Sequence, residues 1–229
     1  MKKLYLCSIL IFIGYISPAQ INKGTVLLGG ELGFSNSTQK NYTNGAPAPV
    51  PTFKFTYASI QPSAMIAIGK NLVWGIDLDF DYQAQPNSNY DMHYNEYGIG
   101  TFLRKYKPLG SGFYLFGQSG LEFTYGDERI TYPPSTGPDS FTETKNAIFS
   151  LGFSPGIAYA VNRKWQVELL LSGLFYADYG NNKETDIVIN PTEPASTNVE
   201  KANGFDFGSN LSTGLTQLLL GVHYVIGSK

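Results

Sequence analysis

Two histidines and one cysteine in 229 residues leave few centres around which this chain could build a catalytic or metal site. Gly152-Phe-Ser-Pro-Gly156 has the G-x-S-x-G spacing of a hydrolase nucleophile elbow. That turn needs the backbone N–H after the serine for its oxyanion hole, and Pro155 has none. Ser154 is therefore expected to be a strand serine facing an interior. His93 lies close in sequence to Asp91 and Glu96, a set that could gather a divalent cation if the chain folded over it. The simpler reading is a solvated histidine at a loop end. His223 shares a side with Gln217 and Gly221 and reads as a hydrogen-bonded interior residue. Gly29-Gly30 lacks the Lys-Ser/Thr ending of a phosphate loop. No catalytic residue, metal site or cofactor is expected.

The carboxylates are more informative. Glu31, Asp77, Asp79, Asp81, Glu122, Glu168 and Asp178 fall on the polar side of alternating segments, and the main cations available on the strands are Arg104 and Lys54. Buried charge needs a partner or water. Arg104, if its segment turns Gly98, Gly100 and Phe102 inward, offers a planar fork suited to more than one carboxylate. Measured from the short turns, Glu168 lies at its depth and Glu31 somewhat higher, so pairing with one or both is expected. The remaining acids, Asp77, Asp79, Asp81, Glu122 and Asp178, make the interior either wet and cation-attracting or a hydrogen-bonded plug.

What must position these groups is a set of strands. Only 15% of residues are charged and 14% are aromatic, with 25 Gly, 16 Tyr and 15 Phe, a composition poor in helix formers. After residue 16 no apolar stretch approaches the ~20 residues of a membrane-spanning helix. Net charge is −2, so no basic field attracts nucleic acid. Period-two alternation recurs in eight segments, near 24–35, 54–68, 72–83, 94–106, 113–125, 146–161, 165–178 and 213–226. In the third, Leu72, Trp74, Ile76, Leu78, Phe80 and Tyr82 oppose Gly75, Asp77, Asp79, Asp81 and Gln83.

Alternation alone leaves two arrangements open: an exported soluble barrel with the apolar face inward, or a transmembrane barrel with it outward. The lengths of the connections favour the second. Those after the second, fourth and sixth segments are short (Gly69-Lys70-Asn71, Lys107 to Gly112, Asn162-Arg163-Lys164). The others are longer and rich in Pro, Asn, Thr and Ser, the last running from Gly180 to about Ser212. Short turns on one side and long loops on the other mark an outer-membrane barrel. Pro62 and Pro155, each at the same distance from a turn, are expected at bulges. Lys2-Lys3, an apolar run from Leu4 to Ile16 and Ser17-Pro18-Ala19 read as a secretory signal over 1–19, leaving a barrel domain over 20–229 without cysteine.

Leu28-Gly-Gly-Glu-Leu-Gly-Phe-Ser35, Gly100-Thr-Phe-Leu-Arg-Lys-Tyr-Lys-Pro-Leu-Gly110, Pro155 to Glu168 and the closing Leu218-Leu-Leu-Gly-Val-His-Tyr-Val-Ile226 resemble the small outer-membrane β-barrel proteins of the OmpA/OmpX-like type. The resemblance implies an all-β, eight-stranded, up-and-down antiparallel transmembrane barrel in a bacterial outer membrane. The leading reading of function is a non-enzymatic monomer in contact with lipid, whose loops meet a surface ligand or envelope partner or support the envelope. Two alternatives follow from the residues: a narrow cation-preferring channel through the acidic lumen, and a soluble lipocalin-like ligand-binding barrel.

Overall fold

The computed structural model describes residues 21–39, 42–43, 46–47, 53–87, 90–132, 139–189, 195–210 and 218–227. The expected signal segment, 1–19, lies outside them, as does most of the first long connection. The strands are β1 (Val26–Gln39), β2 (Tyr42–Thr43), β3 (Ala46–Pro47), β4 (Phe53–Gly69), β5 (Leu72–Pro86), β6 (Asp91–Gly110), β7 (Phe113–Tyr132), β8 (Asp139–Ala160), β9 (Trp165–Leu171), β10 (Phe175–Ile189), β11 (Ser196–Ser209) and β12 (Leu218–Ile226). β2 and β3 form a small hairpin of their own.

Each long strand pairs antiparallel with its neighbour in sequence, and the sheet closes on itself. β1 pairs with β12 from Val26↔Ile226 to Leu32↔Leu220, β12 with β9, and β9 with the lower part of β8. β1, β4, β5, β6, β7, β8, β9 and β12 thus form an eight-stranded up-and-down barrel. β10 continues upward along β8 beyond β9, and β11 pairs with β10 on its other side.

The large apolar face points out. Trp74 and Leu78 are each 44% exposed, and Ile99, Leu121, Phe149, Leu169 and Leu220 join them around the wall, while Arg104, Glu31, Glu168 and His223 are buried inside. A soluble lipocalin-like barrel requires the reverse, so that alternative is overturned. The apolar band is edged by exposed Trp165 near the short turns and by Tyr82, Tyr97, Tyr125 and Tyr179 toward the other rim. Tyr224 is half-buried against Trp165, ring centroids 5.1 Å apart. This inside-out pattern with aromatic borders is that of an outer-membrane barrel.

Three local features differ from the sequence-based expectation. The connection expected over Lys107 to Gly112 is only Ser111-Gly112, because Lys107 and Pro108 still pair with Leu115 and Tyr114. Ser111 and Gly112 supply the positive φ angles (50° and 82°) that so tight a hairpin requires. Pro62 causes no bulge: it pairs with Gly30, and the β4–β5 register is the same on either side of it. Pro155 does face one, but the extra residues are its partner's. Ser154 and Pro155 of β8 lie opposite Leu171 to Leu174, between the Phe153↔Phe175 and Gly156↔Leu170 pairs. A residue without an N–H fits where the ladder is already interrupted.

The largest difference concerns the long connections. β6 and β7 have 20 residues each and β8 has 22, about twice the ~9–11 of a bilayer crossing. Much of what reads as loop is strand that has left the apolar band. The stretch expected as one loop from Gly180 to Ser212 contains β10 up to Ile189 and β11, paired from Phe175↔Ser209 to Val188↔Ser196. Beyond the band both faces meet water, so the apolar alternation that reveals a strand fades although its hydrogen bonds continue.

Candidate functional site

The interior has two storeys. Near the short turns it is packed solid: Ile21, Leu27, Met65, Ala67, Val73, Tyr106, Tyr114, Phe116 and Ala160 form a buried core. Tyr106 packs edge-on against Tyr114, centroids 5.9 Å apart, and Phe116 lies 5.4 Å from Tyr106. Ile21 belongs to this floor, and its carbonyl accepts a hydrogen bond from the Asn71 N–H at 2.9 Å. Reading the polar face of each segment as the interior places mainly small, polar and charged residues there and misses Tyr106, Tyr114 and Phe116. Phe113-Tyr114-Leu115-Phe116 carries the signal, since a run without alternation marks a strand with apolar surroundings on both faces, here the core behind Tyr114 and Phe116 and the outer apolar band at Phe113 and Leu115.

Above this core lies the charged layer. Arg104 is fully buried, and its guanidinium reaches four strands: Nη1 to Glu168 Oε1 at 2.6 Å on β9, Nη2 to Glu31 Oε1 at 3.1 Å on β1, Nε and Nη2 to Gln118 Oε1 at 2.8 and 2.6 Å on β7, and Nη1 to the Tyr106 hydroxyl at 3.2 Å on β6 itself. The cation also sits 4.5 Å from the Phe116 ring centroid and 5.3 Å from that of Phe102. Both expected carboxylates are therefore brought to Arg104. Lys54, the other cation considered, is exposed. Glycine makes the layer possible: Gly221 pairs with both Glu168 and Glu31, and a Cβ there would come within 2.5 Å of Glu168 Cγ.

His223 completes the layer. Its Nε2 is 3.1 Å from Ser63 Oγ and its Nδ1 is 3.5 Å from Glu168 Oε1, an order of groups reminiscent of a hydrolase triad. Neither Ser63 nor His223 lines the cavity above, and His223 is fully buried, so a substrate carbonyl has no approach to the hydroxyl. Glu31, Glu168 and His223 also have the composition of a metal-binding set, but the Arg104 guanidinium already holds both carboxylates. Ser154, of the elbow-like motif, faces inward and accepts the Gly173 N–H at 3.0 Å, pinning the bulge of the seventh strand.

The upper storey is a cup of about 990 Å³. Phe102, Gln118, Leu170 and Leu219 border it below, and Asp77, Asp79, Asp81, Glu96, Glu122, Asp178 and Asp206 stand around its wall. Among the described residues no Lys, Arg or His lines it. The five other acids singled out from the sequence, Asp77, Asp79, Asp81, Glu122 and Asp178, are thus in the cup rather than with Arg104. Inward Gly98 leaves them room, since a Cβ there would lie 2.9 Å from Glu122 Oε1 and 3.0 Å from Asp79 Cβ. The Tyr57 hydroxyl donates to Asp81 at 3.2 Å, and the Tyr94 hydroxyl to Glu96.

His93 and Glu96 do not meet. His93 points outward, with Nε2 3.4 Å from Asp91 Oδ1 and Nδ1 3.2 Å from the Tyr82 hydroxyl, while Glu96, an odd number of residues away, points inward. Glu96 instead joins Asp79 and Asp81, with one oxygen of each within 4.8 Å of the others. Such a trio offers hard oxygen ligands of the kind calcium or magnesium takes.

No family model and no curated protein matches this chain. Among solved structures it is similar to a major outer membrane protein from Thermus thermophilus, with 10% identity, 89% of this chain and 99% of that one covered, and a TM-score of 0.47. It is similar at 13% identity to the outer membrane protein OprG from Pseudomonas aeruginosa, covering 92% and 99%, TM-score 0.47. The translocator domain of the autotransporter NalP from Neisseria meningitidis is 11% identical, with 98% and 93% covered and a TM-score of 0.42.

Proposed function

We propose that this protein is a plugged, non-enzymatic barrel of a bacterial outer membrane that presents an acidic cup and long strand extensions to the outside for surface interaction. The observation that carries the reading is the closed Arg104 layer beneath the open cup. Ions entering the cup meet a stratum in which Arg104, Glu168 and His223 are withdrawn from water, with packed aromatics below it. Lipid is the partner of the apolar band, because so large an exposed apolar surface is unstable in water. Surface ligands are the partners of the cup and of β10 and β11, and a cationic ligand suits the cup best, since its described lining has no positive group.

Planar-bilayer recording tests the proposal. The purified protein is expected to insert without discrete conductance steps, and cell fractionation is expected to recover it with outer membranes. One specific observation favours a second reading, a cation-preferring channel: the acidic wall of the cup would concentrate cations above any opening of the plug. Steady cation-selective steps at neutral pH would support it against the plugged barrel.

A further inference from the structure

The charged layer does not balance as ordinarily ionised. Arg104 brings one positive charge and Glu31 and Glu168 one negative charge each, while His223, fully buried in the same layer as the Arg104 cation, is neutral because a second buried positive charge there is disfavoured. The other strands packed on it add only neutral groups: Ser63 from β4, Tyr106 from β6, Gln118 from β7 and Gln166 from β9. Asp77 of β5, the carboxylate facing the layer from above, belongs to the cup. One uncompensated negative charge therefore remains where Arg104, Glu168 and His223 are fully buried and Glu31 nearly so. Two adjoining carboxylates in such a place do not both ionise.

The contacts say which of them is the anion. Glu168 faces Arg104 Nη1 at 2.6 Å, Gln166 Nε2 at 3.4 Å and His223 Nδ1 at 3.5 Å. Glu31 meets Arg104 Nη2 at the longer distance of 3.1 Å, and one of its oxygens lies within 4.8 Å of one of Glu168's. We propose that the layer holds one proton, on Glu31 as a neutral carboxylic acid beside the Glu168 carboxylate, and that loss of this proton unseals the barrel. Glu31 then donates to Glu168, His223 turns its Nδ1–H toward Glu168, and its Nε2 accepts the Ser63 hydroxyl. The only exchange is one proton between Glu31 and water, and its loss restores the unpaired charge that repels Glu168 from the layer.

This inference rests on the plug being the seal, and the two can fail separately. Infrared spectroscopy of the membrane-reconstituted protein at neutral pH is expected to show a protonated-carboxyl C=O band that disappears in Glu31→Gln. The parent is expected to gain conductance at alkaline pH, and Glu31→Gln, whose amide mimics the protonated acid, to stay closed. Should Glu31→Gln fail to fold, Glu168→Gln serves, because a single carboxylate facing Arg104 ionises and the same band is lost. An infrared spectrum unchanged by both substitutions overturns the proton assignment, and so does equal alkaline conductance in parent and Glu31→Gln. A parent that conducts at neutral pH defeats the plugged-barrel reading, while the band still decides where the proton is.

Discussion

Arg104 and Glu168 meet at 2.6 Å across the barrel interior although 64 residues separate them in the chain. Both side chains are fully withdrawn from solvent. A pair so placed is strongly destabilising when broken from one side, because the surviving charge stays buried without its counterion. Arg104→Met is therefore expected to lower stability by roughly 3 to 5 kcal/mol, and adding Glu168→Gln to recover part of that loss. Urea unfolding of the four proteins of this cycle in detergent measures it. Additive effects would mean that water reaches the layer.

The outward face of the band has a different solvent. Arg at Leu78 or Leu169 is expected to cost about 2 to 4 kcal/mol in lipid, as for a charge near mid-bilayer. Asp79→Asn, one residue from Leu78 but facing the cup, is expected to be tolerated. Unfolding from lipid vesicles, with gel mobility before and after heating, distinguishes the two positions. A protein soluble in plain buffer with Leu78→Arg harmless would place the apolar face elsewhere.

Gly221 tests the packing that allows the charged layer. It pairs with Glu168 on one side and Glu31 on the other, and a side chain there would push Glu168 from Arg104. Gly221→Val is expected to destabilise by about 1 to 3 kcal/mol through overpacking. Gly204, with nothing near its missing Cβ, is the matched control, and Gly204→Ala is expected to leave stability unchanged. Similar losses at both positions, read from the same unfolding curves, would argue for a general strand effect instead.

Hydrogen exchange separates strand from loop in the outer extension. β10 is flanked by β8 on one side and β11 on the other, whereas β11 pairs, among the described residues, with β10 alone. Amides over 183–188 are therefore expected to exchange more slowly than those over 198–203. Rapid exchange of both would return this stretch to the loop that its composition suggests.

Much of the architecture is legible in the residues themselves. A strand's side chains alternate by geometry, so Leu72 to Tyr82 announces a strand with one apolar face, and Arg104 and Glu168 could be matched in depth by counting from the short turns. Pattern fails where its physical cause is missing. Over Asn181–Ile189 and Ser196–Ala202 no apolar solvent or core imposes alternation, and the strands are recorded only in backbone hydrogen bonds. Glu96 is drawn to His93 by sequence distance, yet the pleat sends it to the cup with Asp79 and Asp81.

By itself, then, the sequence determined that this chain is a barrel of alternating strands with acids on the polar face and one arginine among them, because side-chain period and composition are local properties. Only the closed structure decided which solvent the apolar face meets, that Phe116, Tyr106 and Tyr114 fill the lower lumen, and that Glu31 and Glu168 share Arg104 while Asp77, Asp79, Asp81 and Glu122 stand in the cup. Those outcomes depend on the register between strands far apart in the chain. Register is set by closing the ring, a condition that all eight strands must satisfy together.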